Sequence, residues 1–527
     1  MIDKFYKLPY WTYSVLFGLL MFSAWSPSPI PVGAFVGFSV LFFMEYRITA
    51  EQEKKVGAKV FRYTYLGFLI WNVLTTWWVW NASPGGTVVA ILANSLLMTL
   101  PFFFYHKTRV WIGDRISFVS FLFYWVGFEY LHLNWDISWP WITIGNVFSN
   151  STYLIQWYEY TGILGGTVWV LLVNYVLFQS LLIKWLKVVS FAALVIIPIG
   201  FSLLIDAPEN TDSIEIVVVQ PNINPFTEKF PGSEHYIPYE EQFDRLIKLS
   251  EEKLTDSTRF LLWPETALQG SHFEQNLQYD PVINKCKQFM KKYPNLTLIT
   301  GMESWNRLSD TINLAPTVKY REGLGYYETY NTAILINSKG YKLYHKSRLV
   351  PGVETLPFPM VLGFVQDIIN INGAGNYGTQ EERTVFYDMD STGIAPLICY
   401  ESIYGEFVGE YINNGAHIIG IITNDGWWGD TPGYRQHYEY AKLRAIEHRK
   451  PVARAANTGV SGFINSSGKE IQQLGYDKIG VLKATLHYQK EKTFFATYGN
   501  YIGRTAAFFS IILLLSALIK HKKNGWT

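Results

Sequence analysis

Ile394-Ala395-Pro396-Leu397-Ile398-Cys399-Tyr400-Glu401-Ser402-Ile403-Tyr404-Gly405-Glu406 is the stretch on which the reading of the fold turns. Its first five residues form an apolar run of the length of a buried strand. The positions after Cys399 turn polar, and Ser402 to Glu406 can begin a helix. A strand, a sharp turn and a helix expose the residue at the turn and aim the next backbone N–H at whatever binds there. Similar apolar runs occupy 214–219, 260–263, 296–299 and 333–336 before it and 417–422 after it. Charged, helix-compatible stretches at 239–255 and 434–449 separate several of them. Strands alternating with helices predict an α/β sandwich, and about 280 residues are ample for its core. No internal repeat or low-complexity tract interrupts it.

Outward from this region the composition changes. The chain has 527 residues, of which 49% are hydrophobic and 17% charged, too apolar on average for a fully wetted surface. A bilayer core needs roughly 20 mostly apolar residues per helix. Eight stretches fit, at approximately 8–26, 29–45, 64–82, 85–105, 116–134, 161–183, 188–206 and 499–519. The first lacks a clear cleavage site and a second span follows at once, so it reads as retained rather than as a signal peptide. Lys and Arg mark alternate connections: Lys4 and Lys7; Arg47, Lys54, Lys55, Lys59 and Arg62; Lys107, Arg109 and Arg115; Lys184 and Lys187; Lys520, Lys522 and Lys523. The intervening connections near 27–28, 83–84 and 135–160 carry none. This alternation predicts both termini in the cytoplasm and 207–498 outside. The expected domains are 1–206 with seven transmembrane helices, 207–498 as the α/β part, and 499–527 as a last helix and cytoplasmic tail.

Trp77, Trp78, Trp80, Trp135, Trp139 and Trp141 fall near outer span ends, as an aromatic belt or a platform for lipid chains would. Glu129 and Arg504 also fall near outer ends and are expected to snorkel to the interface. The span centres hold almost no ionisable groups, which argues against a pump or channel. Lys and Arg number 44 against 43 Asp and Glu, which excludes a strongly basic nucleic-acid binder. Two cysteines exclude a disulfide framework.

Polar residues just past a buried strand are placed where α/β proteins build sites. Three such places stand out. Glu265 follows Trp263-Pro264 and reads as a general base or, more plainly, as a helix N-terminal acid. Lys346, in Tyr344-His345-Lys346-Ser347-Arg348, reads as a fixed cation for developing negative charge or as part of a surface basic cluster. Cys399 reads as a nucleophile or as a buried inert thiol. Cys286, with Phe289 and Met290 on an amphipathic stretch, serves as the inert comparison. Only about 3% of a free thiol is ionised at pH 7, so a carboxylate base removes a real limitation and a lysine offsets the charge. Glu, Lys and Cys together make a complete acyl-transfer set.

Trp263-Pro264-Glu265, then Lys346 followed by Leu349-Val350-Pro351 and Glu354, then Cys399-Tyr400-Glu401, in that order, resemble the nitrilase, or carbon–nitrogen hydrolase, superfamily. With eight expected spans around them, the chain is similar over essentially its whole length to the bacterial apolipoprotein N-acyltransferases. The resemblance implies a nitrilase-like αββα sandwich outside the membrane, with Glu265 as base, Lys346 as oxyanion stabiliser and Cys399 as nucleophile. It gives Glu354 a positioning role and makes Tyr400 and Glu401 supporting neighbours of the nucleophile. Thr423-Asn424-Asp425-Gly426-Trp427-Trp428-Gly429 resembles the family's tryptophan loop, making Trp427 and Trp428 substrate-binding. Ala455 to Gly462 resembles its glycine-bearing segment. Members usually carry an aromatic and a glycine before the second glutamate; here Pro351-Gly352-Val353 precede Glu354. The implied reaction is ping-pong transfer of a fatty acyl chain from a phospholipid, through a cysteine thioester, to the N-terminal amine of a diacylglyceryl-cysteine lipoprotein. It implies a multi-pass protein of the bacterial inner membrane with its catalytic domain periplasmic, and no cofactor, metal or nucleic acid.

Other readings stay open at this level. A membrane-tethered amidase or nitrilase would use the same residues on a small amide, and a scaffold would carry the fold without the chemistry. His345, His417, His437 and His448 are alternative bases for Cys399. Gly373-Ala374-Gly375-Asn376-Tyr377-Gly378 matches G-x-G-x-x-G, but no apolar helix face follows it, so a loop is expected rather than a dinucleotide site.

Overall fold

The computed structural model describes residues 6–26, 28, 31–51, 55–182, 186–206, 212–309, 312, 314–355 and 376–524. The chain divides into two compact units, Met1–Asp206 with Tyr498–Thr527, and Ala207–Thr497.

Among the described residues the first unit holds eight long helices: Tyr10–Ser23, Ala34–Ala50, Val56–Thr76, Pro84–Ile112, Asp114–His132, Tyr158–Leu182, Leu186–Leu204 and Tyr501–Asn524. Pro84–Ile112, Tyr158–Ser180 and Tyr501–Lys523 are each long and apolar enough to cross a membrane. Several helices run past the expected span ends, because backbone hydrogen bonding continues beyond an apolar stretch. Pro84–Ile112 extends through Lys107 and Arg109 in this way. Polar groups between helices are paired: Asn94 Nδ2 donates to Asn72 Oδ1 at 2.7 Å and Asn174 Nδ2 to the Ala34 carbonyl at 2.7 Å. Two expectations change here. Glu129 does not snorkel; it is 3% exposed and accepts from Trp125 Nε1, the Ile144 backbone and Thr167 Oγ1. Three donors make an inward position cheaper than stretching to an interface. Of the tryptophans, Trp77 and Trp80 are exposed, but Trp78 and Trp141 are buried with ring centroids 4.8 Å apart.

The second unit contains two sheets. The first runs β14-β1-β2-β4-β6-β5, with β3 on β4 and β7 on β6; the second runs β13-β12-β11-β10-β9-β8. The strands are β1 Asp212–Gln220, β2 Thr258–Leu262, β3 Leu268–Phe273, β4 Thr297–Arg307, β5 Lys319–Arg321, β6 Gly325–Asn337, β7 Gly340–His345, β8 Phe386–Tyr387, β9 Gly393–Ile398, β10 Ile418–Thr423, β11 Val452–Ala456, β12 Ser461–Ile464, β13 Glu470–Leu474 and β14 Gly480–Tyr488. β1, β2 and β4 are parallel, as are β9, β10 and β11. β1 packs on β11 and β6 on β9, so the sheets lie face to face. Helices Tyr239–Glu251 and Pro281–Met290 cover the outer face of the first sheet, and Gly405–Asn413 and Pro432–His448 that of the second. This is the αββα sandwich expected from the resemblance. Alternation explains the continuous apolar runs. Val217, Val219, Leu261 and Leu298 pack with Leu246, Ile283 and Phe289 of the helices. The intervening Ile216, Val218, Phe260 and Leu262 are just as buried. A strand covered on both faces has no polar side to show.

The parallel strands deliver Trp263, Cys399 and Asn424 just past their ends, where chains leave the sheets. β4 crosses very close to the corner after β2. The Gly301 N–H donates to the Pro264 carbonyl at 3.1 Å. A Cβ on Gly301 would meet the Thr266 nitrogen and stand 2.8 Å from the Glu265 Cα. Gly301→Ala is therefore expected to push back the corner that carries Glu265 and to destabilise by about 1–3 kcal/mol. Denaturant unfolding of the purified variant measures this; an unchanged midpoint would show that the corner gives way freely.

Candidate active site

Glu265 stands on a corner fixed on both sides. The Trp263 N–H still reaches the Ile299 carbonyl at 2.9 Å, and its indole donates to Ser250 Oγ at 2.9 Å. Directly after Glu265, Thr266 has φ 47°, a left-handed conformation that costs a side-chain-bearing residue about 1–2 kcal/mol. The Glu265 carboxylate is 7% exposed. Its Oε1 accepts from Asn331 Nδ2 at 2.8 Å and Lys346 Nζ at 3.4 Å, and its Oε2 from the Asn424 backbone at 3.1 Å.

Lys346 follows β7 and is 1% exposed. Its N–H donates to the Asn331 carbonyl at 2.8 Å, which locks its position to β6. Its Nζ donates to Glu354 Oε1 at 2.8 Å. Burial works to lower the ammonium's pKa, but Glu354, Glu265 and Cys399 together more than reverse this and hold it well above the usual lysine range. Glu354 also accepts from Asn331 Nδ2 at 3.0 Å and the Val350 backbone at 2.8 Å. The Pro351-Gly352-Val353 approach thus still brings this glutamate to the lysine.

Cys399 directly follows β9 with φ 50° and opens a 3-10 turn, Cys399–Ile403. Burial pushes its thiol well above the usual range; Glu265 adds to this, while Lys346 opposes it. On balance these influences favour the neutral thiol over the thiolate. Glu401, fully buried, clamps the turn: Oε2 accepts from the Ile398 N–H at 2.8 Å, and Oε1 from the Ser347 N–H at 2.7 Å and the Tyr344 hydroxyl at 2.5 Å. One carboxylate therefore joins the residue before the cysteine to the residue after the lysine. Tyr400 is buried, its ring edge-on to Tyr404.

Behind the cysteine lies a second charged network. Ser402 Oγ donates to the Cys399 carbonyl at 2.8 Å. His437 Nε2 lies 3.2 Å from that carbonyl and 3.0 Å from Ser402 Oγ. His437 Nδ1 meets Asp425 Oδ1 at 2.9 Å, and Arg454 donates to Asp425 Oδ2 at 2.8 Å. Burial would raise the Asp425 carboxyl, but Arg454 and His437 hold it at about 2. Ligand atoms of Cys399, Asp425 and His437 lie within 4.8 Å of one another. A guanidinium already bound to Asp425 makes this a poor seat for a cation.

Of the four histidines weighed as bases, His437 alone is placed beside Cys399 by these contacts, and its ring serves Asp425, Ser402 and a backbone carbonyl. His345 pairs with Glu274 at 2.8 Å, His448 with the Gly405 carbonyl at 2.9 Å, and His417 stacks on Tyr488. Cys286 is buried in the helix Pro281–Met290, its thiol pushed up to about 12 by burial. Trp427 is 36% exposed and packs against the rings of Phe226 and Phe230, while Trp428 lies edge-on to His437. Residues 373–375 of the glycine motif lie outside the described residues. Within its described part Tyr377 donates to Glu303 and Gly378 to the Thr329 carbonyl, and after it 379–385 form no helix.

Sequence reasoning missed Asn331, whose amide bridges both glutamates; nothing in Thr329-Tyr330-Asn331-Thr332 marks it. It also missed Arg454, although a charge inside the apolar run Val452-Ala453-Arg454-Ala455-Ala456 was a legible signal.

The sandwich and its Glu, Lys and Cys cluster define a carbon–nitrogen hydrolase domain: the Carbon-nitrogen hydrolase family model matches residues 218–493. The Apolipoprotein N-acyltransferase N-terminal domain model matches residues 17–176. The apolipoprotein N-acyltransferase of Chlorobaculum tepidum is 26% identical over 499 residues, 90% of each chain. That of Rickettsia bellii is 31% identical over 417 residues, 76% of each. Among solved structures, Nit3 of Saccharomyces cerevisiae, a member of branch 10 of the nitrilase superfamily, aligns at 13% identity with a TM-score of 0.37, covering 54% of this chain and 93% of its own. This chain belongs to the apolipoprotein N-acyltransferase family.

Breaking a buried ion pair by removing one partner typically costs about 3–5 kcal/mol. Asp425→Asn leaves the Arg454 guanidinium without its counter-charge and is expected to lose stability in that range, measured by denaturant unfolding. A loss below about 1 kcal/mol would assign Arg454 another compensating partner.

Proposed function

We propose that this protein N-acylates lipoproteins in two steps through a thioester on Cys399. The single observation that carries the reading is the shared hydrogen-bond cluster of Glu265, Lys346, Glu354 and Asn331, of which Glu265 and Lys346 bear on the Cys399 thiol. The proposed substrates are a membrane phospholipid as donor and a diacylglyceryl-cysteine lipoprotein as acceptor, a choice that family membership supports.

In the first step Glu265 takes the thiol proton as sulfur attacks the ester carbonyl. Lys346 and the Tyr400 N–H stabilise the oxyanion. The ester C–O bond breaks, Glu265 returns its proton to the departing lysophospholipid, and the acyl chain remains on sulfur. In the second step the acceptor, having lost one proton from its ammonium, attacks the thioester as an amine. The C–N bond forms, the C–S bond breaks, and Glu265 passes the nitrogen proton to the leaving thiolate. Glu354 and Asn331 hold the lysine and the base, Glu401 holds the turn, and Trp427 and Trp428 contact substrate.

All eight helices of the first unit are proposed to span the bacterial inner membrane, with the catalytic domain periplasmic as the Lys and Arg alternation supports. Extracting an acyl chain into water costs about 0.8 kcal/mol per CH₂, so an enzyme handling two lipids gains from staying in the bilayer. A periplasm-active reporter fused after residue 300 is expected to be active, and one fused after residue 523 inactive. The reverse pattern would refute the orientation.

Incubation of the purified protein with phospholipid is expected to give a fatty-acyl mass increment that is absent in Cys399→Ala. Glu265→Gln is expected to slow its formation by about 10²–10⁴-fold, and Lys346→Met by about 10²–10³-fold. Release of ammonia from small amides without any adduct would instead identify a hydrolase.

A further inference from the structure

Lys229 has no part in the steps above, yet it is a buried charge of the second unit. It lies between β1 and the helix Tyr239–Glu251 and is 2% exposed. Its Nζ donates to Thr266 Oγ1 at 2.6 Å, and its carbonyl accepts from Gln242 Nε2 at 2.9 Å. A buried ammonium costs several kcal/mol unless an opposite charge offsets it. Thr266 offers the ammonium a hydroxyl, and the Phe230 ring offers it a π face 5.7 Å away; neither carries a charge. Glu228, the adjacent acid, accepts from the Asn224 backbone at 2.8 Å. Thr266 directly follows Glu265 in the chain, so its bond to Lys229 brings the ammonium to the corner that carries the carboxylate, which pulls the ammonium's pKa up.

The charge count around the cysteine points the same way. Glu265 and Glu354 share one ammonium, that of Lys346. Asp425 is matched by Arg454, and Glu401 by backbone N–H groups and the Tyr344 hydroxyl. One negative charge of the glutamate pair is left over. We propose that Lys229 is a positioning residue for the base: seated on Thr266, its ammonium pins the left-handed corner after Glu265 and cancels the charge that Lys346 leaves unbalanced.

This role has a pH signature. Burial pushes the Lys229 ammonium down to about 8, with Glu265 pulling it back up. The cation is complete below that pH and is lost as pH rises through it. Without it the glutamates leave the site net negative, and a thiolate or oxyanion beside them becomes harder to form. Acylation then falls on the alkaline side, opposite to the rise expected from thiol ionisation alone.

The inference rests on the proposed acyl transfer, and the test separates the two. Full-length protein in detergent is mixed with phospholipid, and the rate of acyl adduct formation is followed by intact mass on both sides of pH 8. Wild type is expected to slow above that pH. Lys229→Arg, whose charge persists, is expected to move the decline to higher pH, and Lys229→Met to be slower at neutral pH by about tenfold, the effect of one pKa unit, with no such decline. Alkylation of Cys399 by iodoacetamide, with no lipid present, is expected to show the same tenfold slowing in Lys229→Met and none in Lys229→Arg. A wild-type decline retained unchanged by Lys229→Arg, or equal alkylation of all three proteins, overturns the role of Lys229. If wild type forms no adduct, the acyl-transfer reading falls and the alkylation rates alone decide on Lys229. If Lys229→Met does not fold, the Lys229→Arg profile decides.

Discussion

Charge taken out of water must be matched at short range, and this constraint organises the catalytic unit. Carboxylates and ammonium groups here sit where solvent cannot screen them, so each needs a partner delivered by another strand. Lys346 reaches Glu354 and Glu265, Asn331 spans both glutamates, and Arg454 answers Asp425. The strands must end in register for these pairs to form. The chemistry is thus a by-product of how the sandwich settles its buried charges.

Two strained residues show how that arrangement is held. Cys399 and Thr266 both adopt positive φ without being glycine. Such conformations persist only where surroundings over-determine them. At Cys399 the clamps are Glu401 on the preceding amide and Ser402 on its own carbonyl. At Thr266 they are Lys229 on the hydroxyl and the close passage of Gly301. In the proposed reaction, a nucleophile and a base held this rigidly would lose little order on reaching the transition state.

The helical unit obeys a different solvent logic with the same outcome. Its interior polar groups, Asn72 with Asn94 and Glu129 with Trp125 and Thr167, are satisfied within the protein. In the proposed reaction both substrates carry acyl chains, which a membrane-embedded helical unit would keep out of water.

Local pattern determined a great deal. Runs such as Ile216–Val219 and Ile418–Ile422 read as strands covered on both faces, because no polar residue interrupts them. The long apolar stretches had to be helices, and the reactive residue types had to lie just past strand ends. What local pattern does not carry is the identity of a partner far along the chain. Glu265 is bonded to Asn331, Lys346 and Asn424, which lie 66, 81 and 159 positions away. Glu129 reads as an interface group until Thr167 and Ile144 are seen to surround it. Periodicity along the chain records whether a side chain is buried; which atoms meet it there depends on which strand ends and helix faces converge, and only the folded chain decides that.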